Sequence, residues 1–165
     1  MEPIRVGVLT ISDRCSRGEA QDRSGPAIID SLPSAQYHVA LAEIVPDEHE
    51  KIAATLSRWA DEDHCDLILT TGGTGFSARD ITPEATLRVI EREASGLSTL
   101  LTVEGLKKTP FAALSRGIAG IRGSAIIINL PGSPAGAREG VQSLLPILPH
   151  AVDVLKSRET SHPAT

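Results

Sequence analysis

Aromatic side chains are scarce in this chain, with one Trp, one Tyr and two Phe among 165 residues. That scarcity excludes a binding mode in which several rings stack on bases or sugars. Cysteine is equally sparse. Cys15 and Cys65 form no CxxC pair and no disulfide framework, so a reducing cytoplasm is the default setting. Positive charge is not in excess, because the formal net charge is -5 and no basic stripe stands out. Nucleic acid and acidic membrane surfaces are therefore not expected partners, while a small anionic ligand needs only a locally positive pocket. No apolar run approaches the ~18 residues of a membrane span. The N-terminus enters a strand pattern without the apolar core of a signal peptide. The five histidines are scattered and show no HExxH or similar ligand spacing.

What is present is mostly aliphatic. Hydrophobic residues make up 41% of the chain, and nearly all are aliphatic or alanine. This length suits one domain, taken as residues 1–157, followed by a polar tail at 158–165. Strand and helix patterns alternate from the start. Residues 4–12 read as a buried strand rich in β-branched residues, and Ser24-Gly25-Pro26 opens a short helix closed by Pro33. A strand at 38–45 leads to a helix beginning at Pro46-Asp47, with Ile52, Leu56 and Trp59 on one face. A short apolar strand at 66–70 runs into a glycine loop. Thr82 and Pro83 then read as N-cap and first position of the next helix.

Further on, the spacing predicts a helix near 98–108, a turn at Pro110, and a strand or hairpin at 117–122. The AIIINL segment at 125–130 is a strand, and Ser133-Pro134 caps a helix after it. Pro146 and Pro149 break the C-terminal stretch before helix resumes to about Lys156. Such alternation predicts a three-layer αβα sandwich with a mostly parallel sheet. Ligands of these sheets bind beyond the carboxyl ends of the strands. Those ends carry Ser12-Asp13-Arg14, Gly72-Gly73-Thr74-Gly75 and Pro131-Gly132-Ser133.

The glycine loop is the first chemical candidate. Three glycines after a buried strand let the backbone approach a ligand and turn its N–H groups inward, a nest that favours phosphate. The alternative is a plain tight turn. No Lys-Ser/Thr follows, so it is not a P-loop. The formal G-x-G-x-x-A of residues 73–78 lacks a helix opening inside the motif, which sets aside a dinucleotide-binding oxidoreductase. Asp80 lies beside the loop, outside a helix already capped by Thr82. Its carboxylate would either form a local turn, with Arg79 alongside, or share a divalent cation with bound phosphate. Asp47 stands three residues before Glu50, which fits a capping box. It also stands just past a strand end, where it would complete a carboxylate pair with Asp80.

The remaining segments also read two ways. Ser12-Asp13-Arg14 is a solvated loop start or a hydroxyl, an acid and a guanidinium at a strand end. Pro131-Gly132-Ser133 is a turn with a serine cap or an anion site at a helix start. Ser115-Arg116 is a surface salt bridge or a bidentate phosphate contact. Cys15 reads as a small filler.

Taken together these segments resemble the molybdopterin adenylyltransferase family, the single-domain relatives of the gephyrin G domain. The matching stretches are Thr10-Ile11-Ser12-Asp13-Arg14, Val45-Pro46-Asp47-Glu48, TTGGTG at 70–75 with RDITPEAT at 79–86, Leu114-Ser115-Arg116 and Asn129-Leu130-Pro131-Gly132-Ser133-Pro134. They occur in family order over nearly the whole chain, and the TTGGTG with RD-x-TPEAT block is the most specific. The resemblance implies a homotrimer that transfers AMP from ATP to the terminal phosphate of molybdopterin with the help of Mg²⁺. It implies Asp47 and Asp80 as the essential, metal-holding acids. It also implies nucleotide or pterin contacts from Ser12, Asp13, Thr71, Gly72, Gly73, Thr74 and Gly75, and from Thr82, Ser115, Arg116, Pro131 and Gly132. Metal insertion would fall to a separate molybdate-inserting partner enzyme. Two other readings share the fold: a paralogue that binds molybdopterin or nucleotide without catalysis, and an interaction scaffold of the gephyrin kind.

Overall fold

The computed structural model describes residues 2–157; the polar tail expected at 158–165 lies outside them. Strand β1 (Ile4–Ile11) is almost wholly buried. It stops one residue short of the predicted end because Ser12 turns away to cap a short helix, α1 (Asp13–Ser16), its Oγ accepting from the Cys15 N–H at 3.2 Å. The polar loop read from Ser12 onward thus begins with a helical turn. Next come α2 (Ser24–Ser31), β2 (Tyr37–Val45), α3 (His49–Asp61) and β3 (Leu67–Thr71). They are followed by α4 (Thr82–Val89), β4 (Arg92–Glu93) and α5 (Ser95–Leu106). A 3-10 turn (Pro110–Leu114), β5 (Ala119–Arg122), β6 (Ala125–Leu130), α6 (Pro134–Leu144) and α7 (Leu148–Leu155) complete the described chain.

The strands form one six-stranded sheet in the order β2-β1-β3-β6-β5-β4. β2, β1, β3 and β6 run parallel, while β5 is antiparallel to β6 and β4 to β5. Alternation along each strand splits the core in two. Val6, Val8, Leu67, Leu69, Ile126 and Ile128 pack on the side of α2, α6 and α7. Leu9, Ile11, Ile68 and Ile127 face the other side, where Ile52, Leu56 and Trp59 of α3 meet Ala85 and Val89 of α4. Because helices cover both faces, the central strands read as continuous apolar runs. The three-layer αβα prediction is the observed architecture.

Local differences have local causes. The helix predicted at 98–108 starts earlier, at Ser95, and ends at Leu106. The two-residue edge strand β4 gives no period in the sequence. Pro149 does not break a helix but sits in the first turn of α7, where its missing N–H has no partner to lose. Among the described residues no helix is long and apolar enough to cross a membrane.

Strand register levels the carboxyl ends. Ile11 lies opposite Val45, Thr10 opposite Thr71, and Thr71 opposite Leu130. Ser12, Asp47, Gly72 and Pro131 therefore emerge together at one edge of the sheet.

Candidate active site

A cleft of about 430 Å³ opens over that edge, within the usual range for small-ligand sites. Ser12, Asp47, Thr71, Gly72, Gly73, Asp80 and Gly132 line it. Ser115 and Pro131 line a second cavity of about 500 Å³ between α5 and α6. The two cavities lie on either side of the Pro131-Gly132-Ser133 turn, with Gly132 in the first and its neighbours in the second. Asp13, Thr74, Gly75, Thr82 and Arg116 line neither.

The glycine loop has an unusual carbonyl pattern. The Thr82 hydroxyl donates to the Gly72 carbonyl at 2.9 Å, and the Thr82 N–H to that of Gly73 at 3.0 Å. The Arg116 N–H donates to the Thr74 carbonyl at 2.8 Å, and its Nε to that of Gly75 at 2.7 Å. Four consecutive carbonyls are thus engaged, two by Thr82 and two by Arg116. In a trans peptide the following N–H points the opposite way, so the N–H groups of Gly73 and Thr74 point away from Thr82, and those of Gly75 and Phe76 away from Arg116. None of the four is a donor in the hydrogen bonds found among the described residues. Gly72 and Gly73 hold φ of 97° and 67°, and a Cβ on Gly72 would collide with the Ile11 carbonyl. Only glycine meets both demands.

Both acids rest against this loop. A Cβ on Gly73 would lie 3.1 Å from Asp47 Oδ1, and one on Gly75 would lie 2.8 Å from Asp80 Oδ2. Asp47 does not cap α3, as the capping-box spacing predicted. The N-cap is Glu48 with no side-chain bond, and Glu50 pairs with Arg88 instead. Asp47 exchanges hydrogen bonds with Asp13: its Oδ2 accepts from the Asp13 N–H at 2.9 Å, and its N–H donates to Asp13 Oδ1 at 3.0 Å. Asp13 also holds Arg79 through two bonds of 2.9 Å, so Arg79 serves Asp13 and not Asp80.

The charges separate accordingly. Burial acts to raise the Asp13 pKa, but the Arg79 hydrogen bond and the Asp47 N–H outweigh it and hold the carboxyl below its ordinary range. Burial pushes Asp47 up, and the nearby Asp13 and Asp80 carboxylates add to that despite the Asp13 N–H.

Thr82 differs from its sequence reading, while Arg116 realises the salt-bridge alternative with Glu84. Thr82 is not the N-cap of α4; Ile81 is, without a side-chain bond, and the Thr82 hydroxyl is engaged by the loop. Arg116 also gives one N–H of Nη2 to the Asp80 carbonyl at 2.6 Å and one of Nη1 to the Glu84 carboxylate. Asp80 also closes a turn, with Oδ2 accepting from Ser77 N–H and its own N–H donating to Ser77 O, both at 2.9 Å. The local-turn reading of Asp80 is realised, and the same carboxylate still lines the cleft.

The sequence reading passed over Asp22. It lines the cleft, accepts from the Thr10 hydroxyl at 2.7 Å, and caps the start of α2 through the N–H groups of Ser24 and Gly25. An acid two residues before Ser24-Gly25-Pro26 was the available signal. Ser24 Oγ and Thr71 Oγ1 then tie the Gly132 and Pro131 carbonyls at 2.6 and 2.7 Å, fixing the turn between the cavities.

A divalent cation suits this donor set. Asp47 and Asp80 both border the cleft and feel each other's charge, and Arg79 makes its hydrogen bonds to Asp13 and to neither of them. Among the described residues no cluster of three His, Cys, Asp or Glu side chains is arranged for a metal. Mg²⁺ commonly takes one or two carboxylates and completes its shell with phosphate oxygens and water, so the pair fits Mg²⁺ arriving with a phosphate ligand.

Comparison with known proteins agrees with the geometry. Residues 7–150 match the family described as "Probable molybdopterin binding domain". The chain is 44% identical over 160 residues to the molybdopterin adenylyltransferase of Helicobacter pylori strain J99, covering 94% of this chain and 89% of that protein. It is 45% identical over 156 residues to the Drosophila melanogaster molybdenum cofactor synthesis protein cinnamon, of whose length it spans 26%. The crystal structure of the molybdopterin biosynthesis enzyme MoaB from Thermus thermophilus superposes with a TM-score of 0.90 at 51% identity, covering 96% of this chain and 99% of that one. The chain belongs to the molybdopterin-binding domain family that includes the molybdopterin adenylyltransferases.

Proposed function

We propose that this protein is a molybdopterin adenylyltransferase, a nucleotidyltransferase of molybdenum cofactor biosynthesis. A terminal phosphate oxygen of molybdopterin bonds to the α-phosphorus of ATP, the bond from that phosphorus to the bridging oxygen breaks, and pyrophosphate leaves. The observation that carries this reading is the loop whose four carbonyls are all engaged, flanked by Asp47 and Asp80, in a chain so similar to curated adenylyltransferases. Two cavities sharing one turn suit a reaction with two substrates.

The residues' parts follow from charge. The nucleophile is already anionic near neutral pH, so no general base is needed. The barrier lies in bringing two polyanions together and in charge building on the α-phosphate. The N–H groups of residues 73–76 receive phosphate oxygens as fixed dipoles that need no reorganisation. Asp47 and Asp80 would hold Mg²⁺, which when bound supplies the positive charge that offsets the phosphates. Ser12 and Thr71 border the phosphate region, and Ser115, Pro131 and Gly132 border the passage to the second cavity. Asp13, Thr82 and Arg116 act on the site through Asp47 and the loop. The same reading places the protein in the cytoplasm as a homotrimer, with molybdate insertion left to a partner enzyme.

Purified protein given molybdopterin, ATP and Mg²⁺ is expected to form adenylylated molybdopterin and pyrophosphate. Asp80→Asn should lower the rate roughly 10²- to 10³-fold, the scale of losing one electrostatic contact to the transition state, while molybdopterin binding persists. Wild-type protein that binds molybdopterin but never forms product would remove the enzyme reading in favour of a binding paralogue.

A further inference from the structure

Among the described residues Arg116 is the cation that grips the glycine loop, through the carbonyls that precede the Gly75 and Phe76 N–H groups. Its backbone N–H and guanidinium reach Thr74, Gly75, Asp80 and Glu84. These contacts span both ends of the segment that carries the nest and the acid. Each carbonyl it takes fixes the direction of the next N–H, because the peptide is rigid. The Thr74 and Gly75 carbonyls turn the N–H groups of Gly75 and Phe76. The Asp80 carbonyl anchors the residue whose carboxylate enters the cleft. Arginine is suited to this, since its planar fork presents fixed donors that a lysine cannot reproduce. Protein oxygens take its Nε–H and one N–H of each terminal nitrogen, so only the two outer N–H groups are left for any other acceptor.

We propose that Arg116 is a positioning residue that holds the 74–80 loop in its anion-receptive form and fixes Asp80, and is not itself a phosphate ligand. The proposal rests on the adenylyltransferase reading for the identity of the anion, ATP, but its first test does not.

Amide hydrogen exchange of the ligand-free protein reports the loop directly. Arg116→Ala should speed exchange at the Asp80 and Thr82 amides while amides of β1 and β6 keep their wild-type rates. Calorimetric titration with ATP in Mg²⁺ should show affinity reduced roughly tenfold or more, the scale of losing charge-assisted hydrogen bonds. Millimolar guanidinium should recover part of it. Arg116→Lys guards against a variant that fails to fold, and should show the same pattern more weakly. Glu84→Ala separates positioning from ligation. It removes an anchor of the guanidinium, so ATP binding should be unchanged or weaker; tighter binding would show a freed phosphate ligand and overturn the proposal. Unchanged exchange at Asp80 and Thr82 in the Arg116 variants would overturn it as well. If wild-type protein shows these responses yet never adenylylates molybdopterin, the reaction assignment fails and the role of Arg116 stands.

Discussion

Asp47 is the residue where the cost of the site is concentrated. Its carboxylate is partly buried and faces the carboxylates of Asp13 and Asp80, and all three circumstances favour the protonated form. The folded pKa thus lies above the ordinary value of 3.8. For an acid shifted in this direction, ionisation costs more in the folded than in the unfolded chain. Stability is full below the ordinary value and falls as pH rises through the folded pKa. Asp47→Asn keeps an oxygen for the Asp13 N–H and removes the charge. At neutral pH it should be more stable by about 0.5 kcal/mol, a figure kept small because solvent screens a partly exposed group. Its activity should fall roughly 10²-fold, the usual exchange of function for stability at strained sites. Thermal melts of both proteins from roughly pH 4 to 7 check this. The decline in Tm over that window should flatten in the variant, and an equally steep decline in both would show that Asp47 is not its source.

At the scale of elements, the wall behind the cleft depends on Asn129 of β6. Its Nδ2 donates to the hydroxyls of Thr70 in β3 and Thr86 in α4, each at 3.0 Å, and its Oδ1 accepts from the Ile118 N–H at 3.1 Å. All three side chains are buried. One amide therefore joins two strands, a helix and the approach to β5 directly beneath the glycine loop. Asn129→Ala leaves two hydroxyls and a peptide N–H without this partner, which should destabilise by about 3 kcal/mol. Asn129→Asp restores the acceptor but not the donors, and should recover only part of the loss in chemical denaturation. Full recovery would show that the Asn129 amide donors add nothing beyond what the two hydroxyls regain by donating to the carboxylate.

The same elements show what the sequence discloses. Strand alternation and the Ile52, Leu56, Trp59 face of α3 were legible because each is a local period imposed by one buried side. The level strand ends followed from parallel pairing. Spacing alone reads Thr82 as a helix cap and leaves capping open for Asp47, because their actual partners, Gly72 and Asp13, are distant in sequence. Arg116 is legible as a salt bridge or a phosphate contact by residue type; the Glu84 pair realises the first, and the loop carbonyls it also serves have no local signal.

At the scale of the whole molecule, α5 is apolar yet buries none of its residues fully. Leu97, Leu100 and Leu101 pack inward, but Val103 and Leu106 are about half exposed, at 48% and 46%. Beyond them Phe111 is 74% and Leu114 47% exposed. Four exposed apolar side chains within residues 103–114 mark an interface more than a monomer's surface. A heterologous contact between copies closes into a ring when its rotation permits, and a three-membered ring is the proposed assembly. Sedimentation velocity should give a species of three times the 17.4 kDa chain mass. Val103 and Leu106 line neither cavity, so replacing both by Asp should dissociate the assembly without entering the site. The monomers should melt several degrees lower, because partner burial stabilises only the folded chain. Adenylylation per chain is expected to survive, since one chain supplies Asp47, Asp80 and the whole loop. If activity vanishes with the trimer while each chain stays folded, a neighbouring copy must complete the cleft.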